Sequence, residues 1–229
     1  MVPADGFSEE DVLRLSASLD QGSEHPLADA IVQAARERNL TLEKVEQLES
    51  GSGIGVYGSV SGRKLALGNT VLMEQQGVIV APLMYEAEAL RGEGASVMYL
   101  AVDGQLAGLL AVSDPVKPST PEALATLKAA GLRIIMATGD GLTTAKAVAA
   151  RLGIDEVYGE VKPEDKLRLV ERLQAEGKMV AMAGDGINDA PALAKADVGI
   201  AMGTGTDVAM NSAQVTLIKG DLRGIALAR

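Results

Sequence analysis

The chain has 229 residues, enough to bury one large core or two modest ones. Hydrophobic residues make up 47% of it but aromatics only 2%, so its cores must be aliphatic, built from Ala, Val, Leu, Ile and Met. A net charge of −10 argues against nucleic acid or an anionic membrane surface as a partner, and the absence of cysteine excludes disulfides and thiolate metal sites here and fits a reducing compartment.

Met1 to Glu10 has neither the basic start nor the apolar centre of a secretory signal. No stretch approaches the roughly 18 consecutive apolar residues of a membrane span. Ser8 to Leu19 is expected to be a helix, with Ser8 at its N-cap and acids in its first turn. Pro26 opens a second helix to about Arg38, since proline is tolerated in a first turn. Gly55 to Leu67 reads as a hairpin around Ser61-Gly62. Pro82 to Arg91 reads as a helix, and Val97–Val102 with Leu106–Val112 as a hairpin turned at Asp103-Gly104. A boundary is placed near Ser113-Asp114-Pro115, dividing the chain into residues 1–112 and 113–229.

Past that boundary, strands and helices alternate. Helices are expected at Thr120–Ala130, Thr143–Leu152, Glu164–Glu176 and Asp189–Ala194. Strands are expected at Leu132–Ala137, Met179–Ala183, Val198–Ala201 and Val215–Leu217. The alternation implies an α/β fold with a parallel sheet flanked by helices. The apolar runs before residues 138 and 184 read as buried strands, and Met136, Met179, Met182 and Met202 as core filling.

Two acidic turns follow those runs, Thr138-Gly139-Asp140 and Gly184-Asp185-Gly186-Ile187-Asn188-Asp189. Both belong at the carboxyl ends of parallel strands, where open α/β folds bind ligands. Glycine lets a backbone turn sharply and approach an anion. Asp185 and Asp189, four apart, can face one site as a carboxylate pair suited to Mg²⁺. Lys162-Pro163-Glu164-Asp165-Lys166 opens the helix between the two turns. A hydroxyl, carboxylates and a lysine together suit a phosphoryl group and its Mg²⁺. Gly53, Gly55 and Gly58 have dinucleotide-fingerprint spacing, but alternating strand sequence follows them instead of a helix, so that reading fails.

These motifs resemble the cytosolic catalytic unit of a P-type ATPase over nearly the whole chain. The stretch from Ala181 to Thr206, with Gly-Asp-Gly-x-Asn-Asp-Ala-Pro-Ala-Leu, is very specific to that family. Ser23-Glu24-His25-Pro26-Leu27 narrows it to the heavy-metal branch, and Val215 to Leu222 looks most like the copper and silver exporters. The resemblance implies a haloacid-dehalogenase-like Rossmannoid phosphorylation domain, with residues 1–112 inserted as an α+β nucleotide-binding domain. It implies that Thr138 and Lys166 meet the transferred phosphate with Gly139 and Asp140 in the same catalytic pocket, that Asp185 holds Mg²⁺, and that Asn188 and Asp189 organise the site. It implies that His25 stacks on the adenine of ATP with Glu24 positioning it, while Gly51, Gly53, Ile54, Gly68 and Asn69 close round the nucleotide. Asp20 stands five residues before His25, where the family usually has Glu, and reaches one methylene less. Asp114 reads as either a hinge or a nucleotide contact.

In the resembling family the phosphorylated aspartate lies in Asp-Lys-Thr-Gly-Thr, after the first, central strand. That motif is absent from the sequence, so a gap in the parallel sheet is expected and the chain alone should not turn over. The implied whole is a pump exporting Cu⁺ or Ag⁺, with its membrane and actuator domains outside this chain. The chain would then lie on the cytoplasmic face of a membrane, a bacterial inner membrane, without inserting into it. The alternative is a nucleotide-binding fragment or regulator without turnover. A soluble phosphatase of the same fold class is disfavoured, because no Asp-x-Asp occurs in the sequence.

Overall fold

The computed structural model describes residues 1–229 except Glu24, His25, Ser52, Asp114, Pro115, Thr204, Ile218, Lys219, Ala228 and Arg229, together with the side chain of Pro26. The chain forms two compact units, Met1–Asp114 and Pro115–Arg229.

The first unit runs β1 (Val2–Pro3), α1 (Glu9–Asp20), α2 (Pro26–Glu37), β2 (Val45–Gly51), β3 (Gly55–Val60), β4 (Arg63–Gly68), α3 (Thr70–Gln75), α4 (Met84–Gly92), β5 (Ser96–Val102) and β6 (Gln105–Val112). Its strands form one six-stranded sheet in the order β1-β6-β5-β4-β3-β2, antiparallel throughout. The period of two along each strand sorts the core onto two faces. Leu65, Leu67, Leu100 and Val102 pack with Val12, Leu15, Leu19 and Ile31 of α1 and α2. Ala66, Val97, Tyr99 and Leu109 pack with Leu72, Met73 and Ala87 of α3 and α4. A one-residue slip would exchange the two sets, so burial on both faces fixes the register.

Both hairpin turns have positive φ at their two central residues, Ser61 and Gly62 in one and Asp103 and Gly104 in the other. That is the backbone hand that matches strand twist. Ser8 caps α1 as expected: Asp11 donates its N–H to Ser8 Oγ at 3.1 Å, and Ser8 N–H donates to Asp11 Oδ2 at 3.2 Å. Inside α1, Ser16 is fully buried and its hydroxyl has no partner among the described residues. Ser16→Ala is therefore expected to raise stability by about 1 kcal/mol, read as a higher urea midpoint with unchanged slope.

The second unit runs α5 (Thr120–Ala129), β7 (Ile135–Ala137), α6 (Leu142–Leu152), β8 (Glu156–Tyr158), α7 (Pro163–Ala175), β9 (Ala181–Gly184), α8 (Ala190–Lys195), β10 (Val198–Met202), α9 (Asp207–Ser212), β11 (Val215–Leu217) and α10 (Arg223–Leu227). All its strand pairs are parallel, but they form two sheets, β11-β10-β9 and β7-β8.

This division corrects the reading of residues 132–137 and 179–183 as buried strands. Leu132 is 43% exposed and Met179 84%, and Ala181 and Ala183 are also exposed. Met179 is therefore not core filling. The reason is local: among the described residues β7 and β9 each have one neighbour, whereas parallel strands normally bury both edges and both faces. The core cluster behind β9 is correspondingly small, with Val170, Ala192 and Ala196 buried and Val180 and Met182 packed on them. No described helix is long and apolar enough to cross a membrane.

Candidate functional site

Each unit carries one cluster of the residues singled out above. In the second unit, the strand ends and the start of α7 build it. Thr138 sits just beyond β7, and its backbone ties this end to β8: Thr138 N–H donates to Tyr158 O at 3.0 Å, and Val161 N–H donates to Thr138 O at 2.9 Å. The Thr138 hydroxyl donates to Asp140 Oδ2 at 2.8 Å and accepts from Asp140 N–H at 3.1 Å, a closed local turn. At Gly139 an added Cβ would meet only Val161 O, at 3.8 Å, so packing does not demand glycine there.

Lys166 lies in the first turn of α7, which Pro163 opens and which Asp165 caps by accepting from Lys162 N–H at 3.2 Å. Its Nζ donates to Asp189 Oδ1 at 2.7 Å, with both side chains largely covered. The other oxygen of Asp189 accepts from the N–H groups of Asp185 at 3.2 Å and Gly186 at 3.0 Å. Gly184 makes room for this carboxylate, since a Cβ at 184 would lie 2.7 Å from Asp189 Oδ2.

The expected carboxylate pair is thus divided by the turn. Residues 187–189 form a 3₁₀ turn that swings Asp189 inward, to 6% exposure, while Asp185 and Asn188 stay exposed. Asp189 is committed to the protein through both oxygens, and Asp185 offers its carboxylate outward. No group of three or more His, Cys, Asp or Glu that could hold a metal occurs among the described residues. Mg²⁺ keeps several waters and takes only one or two carboxylates plus phosphate, a demand that the exposed carboxylate of Asp185 can meet. Sequence spacing pointed to Asp185 and Asp189, and the family resemblance to Lys166. Neither revealed the Lys166–Asp189 contact, because nothing local links two residues 23 apart.

In the first unit, Gly51, Gly55 and Gly68 are paired in register across β2, β3 and β4, so three adjacent strands end on glycine side by side. Ile54 O accepts from Asn69 N–H at 2.9 Å, and Asn69 Nδ2 donates to Gly53 O at 3.3 Å. Asn69 Oδ1 accepts from Leu72 N–H at 3.1 Å and so caps α3. A Cβ at Gly68 would fall 2.1 Å from Ile54 O, so the fold itself requires glycine there. Gly53 has φ +73 and open space around its Cβ position. Gly51, Gly53, Ile54, Gly68 and Asn69 therefore lie together.

Asp20, the last residue of α1, is placed differently. It is 6% exposed, and burial pushes its carboxyl up to about 6. It lines a cavity of about 530 Å³ with Ser23, Asp29, Gln33 and Arg36. Among the described residues no donor reaches its carboxylate. Glu24, His25 and the hinge candidate Asp114 lie outside the described residues.

The family model of the haloacid dehalogenase-like hydrolases matches residues 4–197. The chain belongs to that family, and the α/β fold expected from its sequence is borne out. Within it, the chain is a homologue of the heavy-metal-transporting P-type ATPases. It is 57% identical over 228 residues to a copper-exporting P-type ATPase of Legionella pneumophila, covering 100% of this chain and 31% of the relative. It is 52% identical over 221 residues to a silver-exporting P-type ATPase of Salmonella typhimurium, covering 96% of this chain and 27% of the relative. Among solved structures, the catalytic domain of the CPx-ATPase CopB-B matches at 30% identity and TM-score 0.76, over 99% of this chain and 81% of that one. A zinc-transporting PIB-type ATPase in its E2.Pi state matches at 34% identity and TM-score 0.66, over 99% of this chain and 36% of that one. The chain thus spans under a third of the length of the curated relatives just given.

Proposed function

We propose that this chain is the ATP-binding and phosphoryl-transfer part of a heavy-metal P-type ATPase that exports Cu⁺ or Ag⁺. The identity to copper and silver exporters, over 100% and 96% of this chain, supports the cation assignment. The observation that carries the chemistry is the meeting of Lys166 and Asp189 beside the outward-facing Asp185 at the end of β9. Residues 1–112 serve as the nucleotide-binding domain, and residues 113–229 as the phosphorylation domain. Asp20, Glu24, His25, Gly51, Gly53, Ile54, Gly68 and Asn69 hold ATP.

In the second domain, Asp185 holds Mg²⁺, which offsets charge on the transferred phosphoryl group when bound. Lys166 supplies a positive charge and Thr138 a hydroxyl hydrogen bond to the same group, with Gly139 and Asp140 shaping that turn. Asp189 and Asn188 keep the turn that presents Asp185. The membrane and actuator parts of the pump are the partners, and the chain works at the cytoplasmic face of the membrane.

The sequence contains no Asp-Lys-Thr-Gly-Thr, so this chain by itself forms no phosphoenzyme at that motif. A second reading is a non-catalytic nucleotide-binding fragment or regulator. Addition of a segment bearing the motif, followed by a test for ATP-dependent phosphorylation, separates the two.

The direct test of the nucleotide site is a calorimetric titration with ATP, with and without Mg²⁺. Saturable binding is expected in the wild type, with a loss of about tenfold or more in His25→Ala, the size of one stacking contact. A folded wild-type chain that binds no ATP overturns the proposal.

A further inference from the structure

We infer that Gly205 and Thr206 are positioning residues for Asp185, setting where its carboxylate meets a divalent cation; the inference rests on the cation role proposed for Asp185. β9 and β10 are neighbours with Gly184 opposite Ala201, so Asp185 and Met202 leave adjacent strand ends. The connection after β10 folds back across the first of these exits. Gly205 N–H donates to Met202 O at 2.8 Å, and Thr206 N–H donates to Asp185 O at 2.9 Å. The Thr206 hydroxyl lies 3.4 Å from the same carbonyl and accepts from Ala209 N–H at 3.3 Å, capping α9.

Asp185 is therefore held through its backbone from two directions. The Asp189 carboxylate takes its N–H, and Thr206 takes its C=O. Its side chain is left to face outward. The approach of the second segment is as close as backbones allow. A Cβ at Gly205 would fall 2.5 Å from Asp185 O, 2.8 Å from its Cα and 2.9 Å from its Cβ. All three atoms are next to the Asp185 side chain, and none can yield without moving it. Gly205 is thus required by contact with the cation-binding residue rather than by its own backbone angle.

The test uses the whole chain and Mn²⁺ as the probe, read by paramagnetic broadening of the Gly186 amide resonance at a temperature where every variant is folded. Gly205→Ala is expected to weaken Mn²⁺ about tenfold, the scale seen when supporting partners of a metal ligand are lost. Thr206→Val should weaken it about threefold, and Thr206→Ser should restore wild-type binding, since it keeps the hydroxyl. A purely structural role would lower the melting temperature and leave Mn²⁺ affinity unchanged. Binding that disappears in Asp185→Asn but is undiminished in both Gly205→Ala and Thr206→Val overturns the positioning role and leaves the cation role standing. No broadening in the wild type overturns both.

Discussion

Asp189→Ala is expected to lower the stability of the second unit by about 3–5 kcal/mol, and Lys166→Ala by about 2 kcal/mol. The difference follows from what each change strands. Removing Lys166 leaves Asp189 still accepting from two backbone N–H groups, of Asp185 and Gly186. Removing the Asp189 carboxylate leaves those two donors and a largely covered ammonium without partners at once. Asp189→Asn should fall between, because an amide oxygen still accepts from the turn but carries no charge for Lys166. Urea unfolding followed by far-ultraviolet circular dichroism reads all three. Asp189→Ala melting at the wild-type urea midpoint would remove the framework role given to this residue.

Asp20→Asn is expected to stabilise the first unit at neutral pH and to remove a pH dependence. Burial raises the folded-state carboxyl from 3.8 to about 6, with no compensating partner among the described residues. The folded chain therefore holds this proton more tightly than the unfolded chain does. Its contribution to stability is most favourable below the unfolded value, is lost as pH rises from about 4 to about 6, and stays lost above. At pH 7 the penalty is of the order of 2–3 kcal/mol. Arg36 and Asp29 share the cavity mouth but leave that penalty in place. Wild-type stability should therefore fall between pH 4 and pH 6 by that amount relative to Asp20→Asn, measured as two urea midpoints across the range. Parallel profiles for the two proteins would show that the carboxyl is solvated after all. If Asp20 also meets ATP, the same substitution weakens ATP binding, and the cavity is a place where stability is sacrificed for a ligand contact.

Much of the architecture was legible where local chemistry decides it. Ser8 with its acidic first turn, and the Asp103-Gly104 turn, are signals whose partners lie within a few residues, and both elements form as read. β2 was not legible. Val45–Gly51 contains Glu46, Gln47 and Glu49, a register shift between Glu46 and Glu49, and a positive φ at Gln47, so its polar pattern resembles no half-buried strand. α3 and β8 escaped because six and three residues carry too little periodicity. The apolar runs at 132–137 and 179–183 marked strands but not their burial. An apolar run reports what a strand needs, and only its neighbours decide what it gets. The site divides in the same way. The motif placed Asp185 and Asp189 on one turn, while the inward swing of Asp189 onto Lys166 depends on α7 packing beside the end of β9.

α7 is held at both ends of its span. Arg172 Nη2 donates to the Tyr158 hydroxyl at 3.0 Å, fastening the helix to the sheet of β7 and β8. Lys166 fastens it to the turn after β9, in the other sheet. The ammonium proposed above as an anion's counter-charge is thus also a rivet between two half-sheets. An anion that draws Lys166 off Asp189 loosens that rivet, so the stiffness of the second unit becomes a function of what is bound to it.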